Sequence, residues 1–155
     1  MSAHIFQINI SQGGVPKQAI PAGEVTPLGL IGDHQRNRQL HGGPERALCL
    51  YSLAHILALQ AAGHPIYPGA IGENITIAGL NWSQLQPGTR LQLGPEVTVE
   101  VTSYAAPCHN ITAAFREGDI NLVSPKKHPG RARVYVRILT PGHLQPGHQV
   151  AILPP

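Results

Sequence analysis

The chain has 155 residues, a net charge of +3 with neutral histidines, and only 12% charged residues, about half the usual ~25%. Seventeen glycines and fifteen prolines without a repeating period disfavour a helical bundle and favour short strands joined by turns. The length suits one domain over residues 1–155 with a single core. No basic run exceeds two residues, Lys126 and Lys127, so nucleic acid is disfavoured as a partner, while a small anionic ligand remains compatible. The apolar stretches fall short of the ~20 residues of a membrane span, and the first residues lack the basic and apolar regions of a signal peptide. Two cysteines, 49 and 108, are too few for a disulfide framework. A reducing cytoplasmic location is therefore expected.

In chain order, residues 5–10 alternate in the manner of a strand, with Phe6, Ile8 and Ile10 on one face. Residues 46–51 are mostly apolar, which predicts a strand covered on both faces. Ser52 can cap a helix over 53–62 that Gly63 stops. Leu53, Ile56, Leu57 and Gln60 would form its inner face, over an open barrel end. A strand follows at 75–77. Residues 90–93 and 97–102 flank Gly94-Pro95-Glu96 and read as a hairpin. A short second helix is expected over about 110–116, then strands at 133–139 and 150–153. The similar turns Leu85-Gln86-Pro87-Gly88 and Leu144-Gln145-Pro146-Gly147 read as ordinary strand entries. These elements predict a mainly β domain with a few short helices, closed or nearly closed into a barrel.

Four places could carry chemistry. Cys108 leaves a strand run for the start of the second helix, where orphan N–H groups would favour thiolate. A thiolate attacks electrophiles and binds soft metals. Cys49, inside an apolar strand, reads as a small buried hydrophobe. His41-Gly42-Gly43-Pro44 combines a titratable ring with glycines that let backbone approach a ligand, and it follows a long polar loop over 32–40. Glu73-Asn74 leaves a glycine turn, where the pair could orient a ligand or only close the turn. The segment 126–133 holds four of the eleven basic residues and is either a solvated loop or a phosphate receiver. The zinc, P-loop and nucleophile-elbow motifs are missing from the sequence, and two Asp with six Glu are too few to suggest a glycosidase pair.

Taken in order, Gly29-Leu30-Ile31-Gly32-Asp33, His41-Gly42-Gly43-Pro44-Glu45-Arg46-Ala47-Leu48, Tyr51-Ser52, Gly72-Glu73-Asn74-Ile75, Gly79-Leu80 and Pro107-Cys108 resemble the MOSC domain. That domain closes molybdenum-cofactor sulfurases and also occurs as small stand-alone bacterial proteins. The likeness is strongest over residues 29–153. It implies a β-barrel fold and binding of the molybdenum cofactor (molybdopterin), with Cys108 as the metal ligand. Related enzymes reduce N-hydroxylated compounds with electrons from a separate electron-donor protein. The resemblance thus points to an oxidoreductase with Cys108, His41 and Glu73 as catalytic candidates. His41, Gly42, Gly43, Arg46, Asn74 and Arg131 are the candidates for binding the cofactor. The alternative is a sulfur or cofactor carrier that uses Cys108 as a persulfide. Three departures stand out. Ala105 replaces the arginine usual three residues before the cysteine, and late Gly-Asp pairs become Gly88-Thr89 and Gly147-His148.

Overall fold

The computed structural model describes residues 2–34 and 42–155; His41 and most of the polar loop before it lie outside the described residues. Among the described residues, eleven strands form two sheets. Strands β1 (His4–Ile10) and β2 (Gln18–Ile20) begin the larger sheet, and β3 (Gly23–Thr26) with β4 (Gly29–Leu30) belong to the smaller one. Next come β5 (Leu48–Ser52), helix α1 (Leu53–Ala61), β6 (Ile75–Ala78), β7 (Arg90–Leu93) and β8 (Val97–Tyr104). The chain closes with β9 (Val134–Thr140), β10 (Gly142–Leu144) and β11 (Val150–Ile152). The larger sheet runs β11-β7-β8-β9-β5-β6-β1-β2, and the smaller runs β10-β3-β4.

The centre of the large sheet follows from its composition. All five residues of β5 are buried, because β9 lies on one side and β6 on the other. The β5–β6 pair is parallel and is joined by the crossover through α1, as parallel neighbours require. Ser52 caps α1 by accepting from the His55 N–H at 3.3 Å. The chain leaves the helix through Gly63, whose N–H donates to the Gln60 carbonyl. Ile56 and Leu59 are the buried helical residues. The expected inner face is therefore rotated: Leu57 is 52% exposed, since the stripe steps from 56 to 59.

The β7–β8 hairpin has the expected register, with Leu91 opposite Val99 and Leu93 opposite Val97. The face of β1 differs from expectation. A register shift between Ile5 and Gln7 turns Phe6 outward while burying Ile5 and Ile8 completely; a bulge breaks the period of two. Residues 110–116 form no α-helix. A six-residue 3-10 segment, His109–Ala114, stands there, so the helix-end argument for the Cys108 thiolate loses its basis.

The expected barrel also needs correction. The ladders describe an open eight-stranded sheet and a separate three-stranded one, not a closed cylinder. The edge strand β11 and the start of β1, ahead of its pairing with β2, come near each other through an isolated His4–Gln149 bridge and backbone bonds such as Ile5 N–H to the His148 carbonyl at 2.9 Å. The shortness of β10 and β11, three residues each, leaves too few paired groups for a continuous ladder.

Beneath the first loop lies a buried ion pair. Lys17 Nζ sits 2.6 Å from Asp33 Oδ1, with side chains 6% and 4% exposed. Asp33 also accepts from Ser11 N–H and from Asn74 Nδ2. Removing one charge from such a pair strands the other in low dielectric. Asp33→Asn is therefore expected to lower unfolding free energy by about 3–5 kcal/mol in urea denaturation. Adding Lys17→Met should recover part of that loss.

Candidate functional site

One pocket collects side chains from widely separated parts of the chain, with about 560 Å3 of empty space that opens to solvent. Cys49 from β5 and Tyr135 from β9 contribute one wall, and the two are directly opposed in the β5–β9 register. Arg133, just before β9, and Arg46, from a 3-10 turn over Pro44–Arg46, supply positive charge. Lys17, whose charge is paired with Asp33, and the loop glycine Gly14 also line the pocket. Cys108, Asn110 and Ile111 come from the start of the later 3-10 segment, while Gly72 and Asn74 complete the opposite side.

Asn74 is held from both ends. Its N–H donates to the Cys49 carbonyl at 2.7 Å, and its Oδ1 accepts the Cys49 N–H at 3.0 Å. Its Nδ2 donates to the Asn9 carbonyl and to Asp33 Oδ2. The amide thus copies a strand partner for β5 and ties it to the Lys17–Asp33 pair. The preceding turn needs glycine. At Gly69 (φ +92) a Cβ would fall 2.5 Å from the Lys17 carbonyl oxygen, and at Gly72 (φ +89) it would fall 2.9 Å from Val15 Cγ1.

The two thiols differ. Cys49 is 6% exposed, and burial pushes its thiol up to about 11 although Arg133 opposes the shift. It is a neutral S–H at ordinary pH. Cys108 is half-buried and free of any disulfide. Burial likewise raises the Tyr135 phenol to about 12, and the Arg46 guanidinium lies 5.2 Å from its ring centroid. Arg133 is 5% exposed. It donates to the carbonyls of Ile71 at 2.8 Å and Ala106 at 3.3 Å, while its Nε is buried without a hydrogen-bond partner among the described residues.

Of the residues singled out in the sequence, Cys108, Asn74 and Arg46 border this pocket. Glu73 lies behind the wall, fully buried. Its Oε2 accepts from Gly69 N–H at 3.0 Å and from the Thr76 hydroxyl at 3.1 Å. Gly42 and Gly43 do not line the pocket; Gly43 instead accepts the Arg46 N–H at 3.0 Å and so starts the turn that carries Arg46. Arg131 is exposed outside it, with its carbonyl accepting the Tyr51 hydroxyl at 2.8 Å. Lys17 and Tyr135 were not anticipated, Cys49 was read as a buried hydrophobe, and Arg133 was named only as part of the basic segment 126–133. Strand alternation offers the only signal: 133 and 135 share a face of the run 133–139, opposite 134 and 136, which enter the core.

Among the described residues no group of three or more His, Cys, Asp or Glu gathers to hold a metal. Beside the protonated Cys49 thiol, Cys108 is the more exposed soft donor of the pocket and stands near Arg46 and Arg133. Such a set suits a metal that arrives already ligated by an anionic organic cofactor better than a bare ion. The orphaned Nε of Arg133 supplies an unused donor for that anion.

Residues 37–151 match the model of the MOSC domain. The chain is 31% identical over 123 residues to the uncharacterized protein YflK of Bacillus subtilis, covering 79% of this chain and 54% of that protein. It is 30% identical over 122 residues to the protein YiiM of Escherichia coli, covering 76% and 53%. The match therefore spans about half the length of either relative. Among solved structures, YiiM from Geobacillus stearothermophilus superimposes with a TM-score of 0.75 at 23% identity, covering 98% of this chain and 75% of that one. The YuaD protein of B. subtilis gives 0.73 at 16% identity, covering 97% and 94%.

The buried Glu73 carboxyl makes a prediction. Desolvation raises its pKa in spite of the Gly69 and Thr76 hydrogen bonds. The fold therefore favours the protonated acid, a contribution fully present below the ordinary carboxyl range and lost as pH rises through the raised value. Glu73→Gln keeps the shape without titrating. Its stability, followed by thermal unfolding against pH, should lack the decline that the unmodified protein shows on leaving the acid range.

Proposed function

The chain belongs to the MOSC domain family, and on that premise we propose that its pocket binds the molybdenum cofactor and reduces N-hydroxylated compounds there. The observation that carries the reading is the meeting of the Cys108 thiol with Lys17, Arg46 and Arg133 at one pocket. Cys108 Sγ would ligate the metal. Arg133 Nε, with Arg46 and Lys17, would hold the anionic part of the cofactor through charge-assisted bonds. When bound, that group supplies a metal centre able to exchange an oxygen atom together with two electrons.

The remaining work falls to the protein. Cleaving an N-hydroxyl bond to an amine and water consumes two electrons and two protons, and a separate electron-donor protein would deliver the electrons. Tyr135 Oη, neutral at ordinary pH, can donate a hydrogen bond to the departing oxygen. Asn74 keeps the Cys49 wall in place, and His41 would orient the substrate from the preceding loop. Glu73 acts through the Gly69–Asn74 turn and is a positioning residue. Gly42 and Gly43 serve the cofactor through the Arg46 turn, and Arg131 through long-range charge. A reducing cytoplasmic setting would keep both thiols free.

A second reading is favoured by the presence of two thiols, Cys49 and Cys108, on the same pocket. In it the protein is a sulfur or cofactor carrier, with Cys108 holding a persulfide. One experiment separates the readings. Protein made in a cofactor-competent host is analysed for molybdenum and then given an artificial reductant and a hydroxylaminopurine. Molybdenum with amine formation supports the enzyme, and full loading without amine supports the carrier. Cys108→Ser should lower molybdenum content about tenfold or more; equal retention would reject Cys108 as the ligand.

A further inference from the structure

A second hollow lies on the other side of the segment that walls the pocket. It is lined by Trp82, Leu85, Tyr104, Pro129 and Ala132 together with Ser83 and Gly130, around about 650 Å3 of space that opens to solvent. Trp82 is 5% exposed and Tyr104 is 41% exposed. No carboxylate lines it. Its walls come from stretches of chain, 74–95, 101–116 and 120–155, that contain no Asp or Glu at all.

Positive charge lies on the loop that contributes Pro129 and Gly130 to the hollow. Lys126, Lys127 and Arg131 are exposed on the loop that supplies Pro129. They stand on a hydrogen-bonded frame: Lys127 N–H donates to Ser124 Oγ at 3.3 Å, and His128 N–H donates to the Ser124 carbonyl at 2.9 Å. Arg131 N–H donates in turn to the His128 carbonyl at 3.1 Å. Arg133, the fourth base of this stretch, turns the other way into the first pocket.

We propose that this groove docks an acidic protein segment, with an apolar side chain entering between Trp82 and Tyr104 and carboxylates meeting Lys126, Lys127 and Arg131. An apolar centre with a charged rim is the usual anatomy of a protein interface, and like-signed rim charges select and steer the opposite charge. Nucleic acid fits less well. Stacking needs open aromatic faces, whereas Trp82 is covered by edge-on contacts to Tyr51 and His55, at 6.1 and 6.4 Å between centroids. That leaves Tyr104 as the one exposed aromatic lining the groove. The inference does not depend on what the first pocket holds. The two sites do share a wall: Trp82 Nε1 donates to the Ala132 carbonyl at 2.8 Å, and the next residue is Arg133.

Trp82 is the single tryptophan of the chain, so its fluorescence reports the groove directly. The probe is a short peptide of Asp and Glu residues around a Leu-Phe pair, titrated into the whole protein at low salt. A saturable change in Trp82 emission is expected. Binding should weaken about tenfold or more, in line with three lost loop charges, in Lys126→Glu/Lys127→Glu/Arg131→Glu. It should weaken also in Tyr104→Ala, and when Leu-Phe in the peptide becomes Gly-Gly. All these positions are exposed, and circular dichroism verifies the fold of each variant. No saturable change, or equal affinity in the charge-reversed protein, overturns the proposal. Tighter binding of oligothymidylate than of the peptide overturns it in favour of nucleic acid.

Discussion

A carboxylate and an ammonium buried side by side set the terms for the rest of the molecule. Asp33 and Lys17 are both nearly out of water, and such charges persist only where further hydrogen bonds saturate them. The saturation comes from Ser11 N–H and from Asn74 Nδ2. Asn74 in turn bonds both backbone groups of Cys49. A polar chain thus leads from the first loop, through the residue before β6, into the most buried strand. It fixes where Lys17 can point and how closely the Gly69–Asn74 turn approaches the first loop. Positions where a side chain would collide with that loop are glycine.

The two cysteines illustrate how environment decides chemistry. Cys49 is enclosed with Ala105 and Tyr135, and enclosure keeps its proton on. Cys108 stands four residues past the end of β8, where the chain begins a six-residue 3-10 turn, and retains contact with solvent. Arg46 and Arg133, beside a Lys17 already paired with Asp33, favour an anionic visitor at the same place. A soft donor and an anion site share one pocket, and that combination separates this arrangement from a plain zinc site or a plain phosphate cradle.

Much of the architecture was legible because it rests on local rules. The β7–β8 hairpin, the doubly covered β5 and the Ser52-to-Gly63 helix all follow from alternation, apolar runs and caps. Phe6 was misplaced because a bulge, invisible in the pattern, shifts the face. Leu57 was misplaced because three or four apolar residues in a short helix define its inner face loosely. Within the site, Cys108, Asn74 and Arg46 were legible through motif order. Lys17 was not, since a lone base in a loop looks like any other, and within the basic segment 126–133 the pattern did not separate Arg133 from its neighbours. Arg131 and Arg133 differ by two positions, yet only Arg133 borders the pocket. The chain turns from loop into strand between them, and side-chain direction cannot be counted across such a junction.

The pocket draws on residues 17, 46, 49, 74, 108, 133 and 135, so none of it exists within any one local segment. Closing such distant contacts is what makes β topologies slow to fold. It also makes the site a late product of folding: β9, near the end of the chain, must be seated against β5 before Arg133 and Tyr135 meet Cys49. A ribosome-bound or partly unfolded chain has no place for a ligand. Ligand binding is then reserved for the finished molecule and draws the folding equilibrium toward it, so loss of the ligand should be felt first as a shorter lifetime of the native state.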